Sequence, residues 1–174
     1  MPELTAPTPT LHASWIDHRD DIGRGVAQEG GGSTGDFDVD SPEGFADWVR
    51  HLRAHEDPAN PLAEGRVHCT YRWITEGDRV VGVIALRHRL NDLLLEAGGH
   101  IGYCVRPAER RRGLATWALG EMLAEARALG LARVLVTCDD DNPASAGVIE
   151  RNGGVLEDVR DTWLGVVRRY WITL

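Results

Sequence analysis

Apolar positions along this chain follow two periods, one suited to strands and one to helices. Two strand-length stretches, 68–75 and 79–89, flank Glu76-Gly77-Asp78, which is a hairpin signal. Ile101–Val105 and Ala132–Cys138 are further apolar runs of strand length, and 154–158 with 166–173 make a last pair. Helical spacing governs three other segments. Phe45, Trp48, Val49 and Leu52 fall at i, i+3, i+4 and i+7 behind Ser41-Pro42, a cap followed by proline at the first helical position. Leu114, Ala118, Met122 and Ala126 form a stripe that Leu119, Leu123 and Leu129 widen, and Gly130 ends it. Asn142 caps a shorter helix that runs to about Arg151.

The N-terminal third is patterned more weakly. Residues 1–9 hold three prolines and read as a flexible segment, followed by a short strand at 10–13. A helix is expected over 14–28, capped by Ser14 and interrupted by Gly23 and Gly25. Segments 29–40 and 93–98 read as loops, and 57–65 as a linker. The order is two helices, three strands, a helix, a strand, a helix and two strands. It predicts an α/β protein with one domain over residues 1–174.

Composition narrows the classes of function. A 43% apolar and 26% charged chain of 174 residues can bury a full core. A net charge of −8 argues against a general nucleic-acid binder, and no apolar run is long enough for a membrane span. No basic-then-apolar leader pattern is present, so a cytoplasmic setting is expected. Cys69, Cys104 and Cys138 lack metal-ligand spacing and read as reduced, buried thiols, so no metal is expected. All 19 basic residues are arginine.

The most telling chemistry lies at Arg110-Arg111-Arg112-Gly113-Leu114-Ala115. This run follows a strand and Pro107 and opens the long helix. The first N–H groups of a helix have no intrahelical partners, and the helix dipole adds partial positive charge there. Gly113 and Ala115 keep side chains out of the way of an approaching anion. A strand, a glycine loop and a helix start, with three arginines, make a pyrophosphate cradle.

Arg-x-x-Gly-x-Ala behind Val-x-Pro resembles the acetyl-CoA signature of the GNAT acetyltransferases. The stretch 98–157 carries the detailed likeness: Gly99-His100-Ile101-Gly102-Tyr103-Cys104-Val105 before the signature, and Asn142-Pro143-Ala144-Ser145 and Asn152-Gly153-Gly154 after it. Residues 87–103 with Thr137-Cys138-Asp139 look like a bacterial subgroup of these enzymes. The resemblance implies a mixed central sheet of about six to seven strands, splayed between the fourth and fifth, with helices on both faces. It implies acetyl-CoA as co-substrate and a primary amine of a small molecule as acceptor. Backbone groups of Tyr103 and Val105 would bind the pantetheine arm, Arg110, Arg111, Arg112, Gly113, Leu114, Ala115 and Thr116 the pyrophosphate, and Asn142 and Ser145 the arm from the next helix.

The chain departs from the family's pattern at the proton carriers. The usual glutamate falls on Gly99 and the usual tyrosine on Ile149. His100 is the replacement nominated as base, and Tyr103 as acid near the sulfur. Glu96 and the Asp139–Asp141 run are further acidic groups near the acceptor side. The alternatives are a protein or peptide N-acetyltransferase and, in another class, a non-catalytic acyl-CoA-binding module. Trp163, Val166, Val167, Tyr170 and Trp171 suit either a terminal core strand or a homodimer contact.

Overall fold

A computed structural model describes all 174 residues. Seven strands and five helices follow one another in the order β1 (Glu3–Thr5), α1 (His12–Ile22), α2 (Pro42–Ala54), β2 (Cys69–Glu76), β3 (Arg79–Arg87), α3 (Asp92–Glu96), β4 (Ile101–Val105), α4 (Leu114–Ala128), β5 (Arg133–Asp139), α5 (Pro143–Arg151), β6 (Val155–Thr162) and β7 (Gly165–Thr173). The strands form two antiparallel sheets, ordered β1-β2-β3-β4 and β5-β7-β6. The break between them falls between the fourth and fifth strands, where the splay was expected, and every ladder is antiparallel.

Helices cover both faces. Side chains of β2 and β3 alternate between two cores. Trp73, Val80 and Val83 meet Trp15, Phe45, Trp48 and Leu52 of α1 and α2. Ile74, Ile84 and Leu86 meet Leu114, Ala118, Leu119 and Met122 of α4. This second core also takes Val134 and Val136 of β5 and Tyr170 and Ile172 of β7, so it continues beneath the break and joins the sheets. Val167 and Tyr170 belong to the interior, whereas Trp163 and Val166 are exposed. No helix is long and apolar enough to cross a membrane.

The N-terminal expectations need correction. Residues 1–9 carry β1, which pairs with β2 through Glu3 to Thr5, and Thr5 and Thr75 share a hydroxyl hydrogen bond of 2.7 Å. The strand expected at 10–13 is instead a 3-10 turn over Pro9–Leu11 running into α1. Ser14 does not cap that helix; its hydroxyl accepts from the Val80 N–H at 2.8 Å and ties α1 to β3. Gly23, at φ 125°, ends α1 six residues short of the expected helix end at Gln28. Ser41 caps α2 as expected, accepting from the Gly44 N–H. Segment 93–98, expected as a loop, instead holds most of the short helix α3, capped by Asn91.

Candidate active site

The break between β4 and β5 opens from one point of attachment. The His100 N–H donates to the Leu135 carbonyl at 2.7 Å, the Leu135 N–H donates to His100 Nδ1 at 2.9 Å, and the Gly98 N–H donates to Thr137 Oγ1 at 3.0 Å. On the other side, Arg87 holds the carbonyls of Gly98 and Gly99 at 2.9 and 3.1 Å. Gly98 and Gly99 both take positive φ, and a Cβ on Gly99 would stand 2.4 Å from the Leu135 oxygen. The position of the family's glutamate is therefore a turn pressed against a neighbouring backbone, with no room for any side chain. Ile149, at the position of the family's tyrosine, is fully buried in the core.

Beyond His100 the register aims backbone groups into the break. The Arg87 N–H donates to the His100 carbonyl and the Arg106 N–H to the Val81 carbonyl. In an antiparallel pair, bonded positions alternate, so residues 100, 102, 104 and 106 face β3. Ile101, Tyr103 and Val105 turn their N–H and C=O the other way, toward β5. The Val105 carbonyl accepts from Arg110 Nε at 3.1 Å. The Tyr103 hydroxyl reaches α5, 2.8 Å from Ser145 Oγ, and its burial pushes the phenol up to about 12. Asn142 caps α5 by accepting from the Ser145 N–H at 3.1 Å.

At the start of α4, the N–H groups of six consecutive residues, Arg111 to Thr116, donate to no protein acceptor. Gly113 is left-handed at φ 79° and Arg111 at φ 64°, which turns this row of donors to one side. No acidic residue stands in the first turn, although Glu43 and Asp92 occupy the first turns of α2 and α3. The three arginines separate in role. Arg112 is bridged to Glu76 and Glu109, Arg110 serves the Val105 carbonyl, and the exposed Arg111 side chain has no protein partner. The six free donors and the Arg111 charge suit a pyrophosphate.

His100 has a structural task. Its Nδ1 accepts an N–H, which places its proton on Nε2 and leaves no lone pair to take another. Burial, with Arg87 nearby, lowers its pKa to about 4. His18, buried against Gln28, is lowered to about 4 by burial as well. Both folded values lie below the ordinary 6.5, so on acidification the unfolded chain takes up protons first. Stability held above about pH 6.5 is thus expected to be lost as pH falls toward about 4, on the order of 2–3 kcal/mol for each histidine. Denaturant midpoints measured between about pH 7.5 and 5 check this, and a flat profile would contradict it. The thiols are ordinary: burial raises Cys69 and Cys138 to about 11, and Cys104 is half-buried. Glu96 stands on α3, and Asp140 is paired with Arg168. No three His, Cys, Asp or Glu side chains group as a metal set.

On the α1/α2 face, a cavity of about 590 Å³ lies against β2 and β3. Trp15, Tyr71, Arg87 and Trp163 line it, as does Glu29 of the α1–α2 loop. Sequence patterning missed Glu29. Its carboxylate lies over Gly102, with Oε2 2.8 Å from where a Cβ would be, and only the run of glycines around it could have hinted at so close an approach. Gly30 follows, packed on the Gly102 carbonyl and the Ala85 N–H.

Several solved structures share the fold: a RimL ribosomal L7/L12 α-N-protein acetyltransferase in complex with coenzyme A, with TM-score 0.71 at 18% identity over 99% of this chain and 94% of that one; the microcin C7 self-immunity acetyltransferase MccE with acetyl-CoA and AMP, with TM-score 0.67 at 16% identity over 99% and 92%; and a ribosomal-protein-S5-alanine acetyltransferase from Vibrio fischeri, with TM-score 0.73 at 14% identity over 99% and 92%. The comparison with curated proteins gives no match. The model of the GNAT acetyltransferase domain matches residues 34–155, most of the chain and both sides of the break, and the protein is a member of the GNAT acetyltransferase family.

Proposed function

We propose that this acetyltransferase passes the acetyl group of acetyl-CoA to a primary amine of a small molecule, by direct attack in a ternary complex. One observation carries the reading: a row of free N–H donors stands at the start of α4, on one face of the sheet that ends in β4, and a cavity of about 590 Å³ lies on its opposite face. Acetyl-CoA supplies the acetyl group in activated thioester form. The N–H groups of Arg111 to Thr116 hold its pyrophosphate, helped by the Arg111 charge and by the helix dipole. The backbone of Tyr103 and Val105 pairs with the pantetheine arm as an added strand would. Asn142 and Ser145 border the same arm from α5. The Tyr103 N–H points into the break, where it can hold an oxygen on which charge develops.

Tyr103 also serves the leaving sulfur. A phenol raised to about 12 keeps its proton at neutral pH and can donate a hydrogen bond to a thiolate. Tyr103→Phe is expected to lower kcat roughly 10²-fold while leaving the KM for acetyl-CoA nearly unchanged. Steady-state kinetics check this, and a change confined to KM would place the hydroxyl in binding instead.

The acceptor class is tested by thiol release from acetyl-CoA with amino acids, polyamines, aminoglycosides and short peptides. Turnover of small amines with peptides inert supports the proposal. Turnover confined to peptides would instead favour a protein acceptor, of the kind that RimL and the S5-alanine enzyme are named for.

A further inference from the structure

The charges of the cavity select among amines, an inference that rests on the proposed small-molecule acceptor. Glu29 is the one carboxylate lining it. Of the lining arginines, Arg19 is neutralised by Asp20 and Asp40. Arg87 and Arg66 are not. Arg87 lines the cavity, spends one nitrogen on the carbonyls of Gly98 and Gly99, and meets no carboxylate. The exposed Arg66 side chain has no hydrogen-bond or ion-pair partner.

The spacing of these groups follows from the strand register. Glu29 lies over Gly102, and Gly102 pairs with Ala85 on β3. Arg87 stands two residues further along the same face, about 7 Å away. A negative group over β4 and a positive group one side-chain step away match a molecule with a cation and an anion a few bonds apart. We infer that the acceptor is a small amine that also carries an anionic group, such as a free amino acid, with its amine at Glu29 and its anion at Arg87 and Arg66.

Glu29 then stands where the nitrogen must lose a proton, the place that the Gly99 turn cannot provide. The bound ammonium first gives one proton to the Glu29 carboxylate, which passes it on to water. The freed nitrogen lone pair then forms a bond to the thioester carbonyl carbon, and the carbon–sulfur bond breaks with its electron pair leaving on sulfur. The second proton shed by nitrogen balances the one that sulfur takes up. Gly102 contributes by lacking a side chain, since a Cβ would stand 2.8 Å from Glu29 Oε2.

The test compares acetylation of L-amino acids with that of their carboxamides, which keep the amine and lose the anion. The preferred amino acid is expected to exceed its carboxamide about 10²-fold in kcat/KM. Arg87→Gln is expected to bring that ratio close to one. Because Arg87 also holds the Gly98–Gly99 turn, Arg66→Gln, which breaks no internal contact, serves as the second variant and is expected to narrow the ratio. Glu29→Gln is expected to lower kcat about 10²-fold, with a smaller change in KM. Carboxamides accepted as well as acids, or ratios unmoved in both arginine variants, would overturn the inference. Acetylation of polyamines or peptides alone would overturn it and leave acetyl transfer standing. Acetylation of no amine at all would overturn both.

Discussion

Gly99→Glu restores a carboxylate to the position where the family's pattern has one, and it is expected to cost the fold rather than to raise activity. Gly99 sits at φ 60°, and its missing Cβ would approach the Leu135 oxygen to 2.4 Å. Left-handed backbone costs a non-glycine residue about 1–3 kcal/mol, and forcing atoms into packed space costs a similar amount. Neither neighbour can give way cheaply. The next residue, His100, clasps Leu135 through two hydrogen bonds, and Arg87 grips the Gly98 and Gly99 carbonyls. The expected loss is about 3–5 kcal/mol, or a fall of about 10–15 °C in melting temperature for a chain of this size. Gly99→Ala should show most of the same loss, because the conflict begins at Cβ. A well-folded Gly99→Glu enzyme with higher turnover would show that the turn is looser than its contacts indicate.

Ala115→Asp is expected to separate binding from stability. Ala115 is half-buried in the first turn of α4, where no acidic residue stands. An aspartate there complements the helix dipole and should leave stability unchanged or raise it by about 0.3–1 kcal/mol. The same charge sits within the row of free N–H groups proposed to hold pyrophosphate, so it competes for those donors and repels the ligand. Acetyl-CoA affinity is expected to fall at least ~10²-fold. Calorimetric titration with coenzyme A, beside a thermal melt of the same sample, reads both effects. Full affinity in a stable variant would move the anion site away from α4.

The elements that sequence patterning located are those whose stability is local. Ile101–Val105 is found with the expected bounds, α4 ends one residue before Leu129, and Ser41, Asn142 and Gly130 act at the helix ends they mark. Each rests on period, caps and breakers within its own segment. What escaped depends on distant partners. Leu4 gives β1 no visible alternation, and the strand exists because β2 offers it an edge. Ser14 resembles a cap but bonds to Val80, 66 residues away. The direction of the His100 ring follows from how β5 approaches the Gly98–Gly99 turn, and period alone carries no such information. Glu29 sits in a glycine-rich loop that reads as a connector, and its carboxylate rests on β4 only because Gly102 has no side chain. The loop that opens α4 was legible as a motif, whereas the division of labour among its arginines depended on Glu76 and Glu109.

In the proposed reaction the break between β4 and β5 delivers an acetyl group from the α4 side to an amine in the Glu29 cavity. The measurement that tests it most directly is amine-dependent thiol release from acetyl-CoA by the wild-type protein and by Ala115→Asp in parallel, with the acetylated amine identified. Release matched by product is expected for the wild type, and loss of both in a folded Ala115→Asp. A folded wild type that releases no thiol with any amine, or an Ala115→Asp variant as active as the wild type, would contradict it.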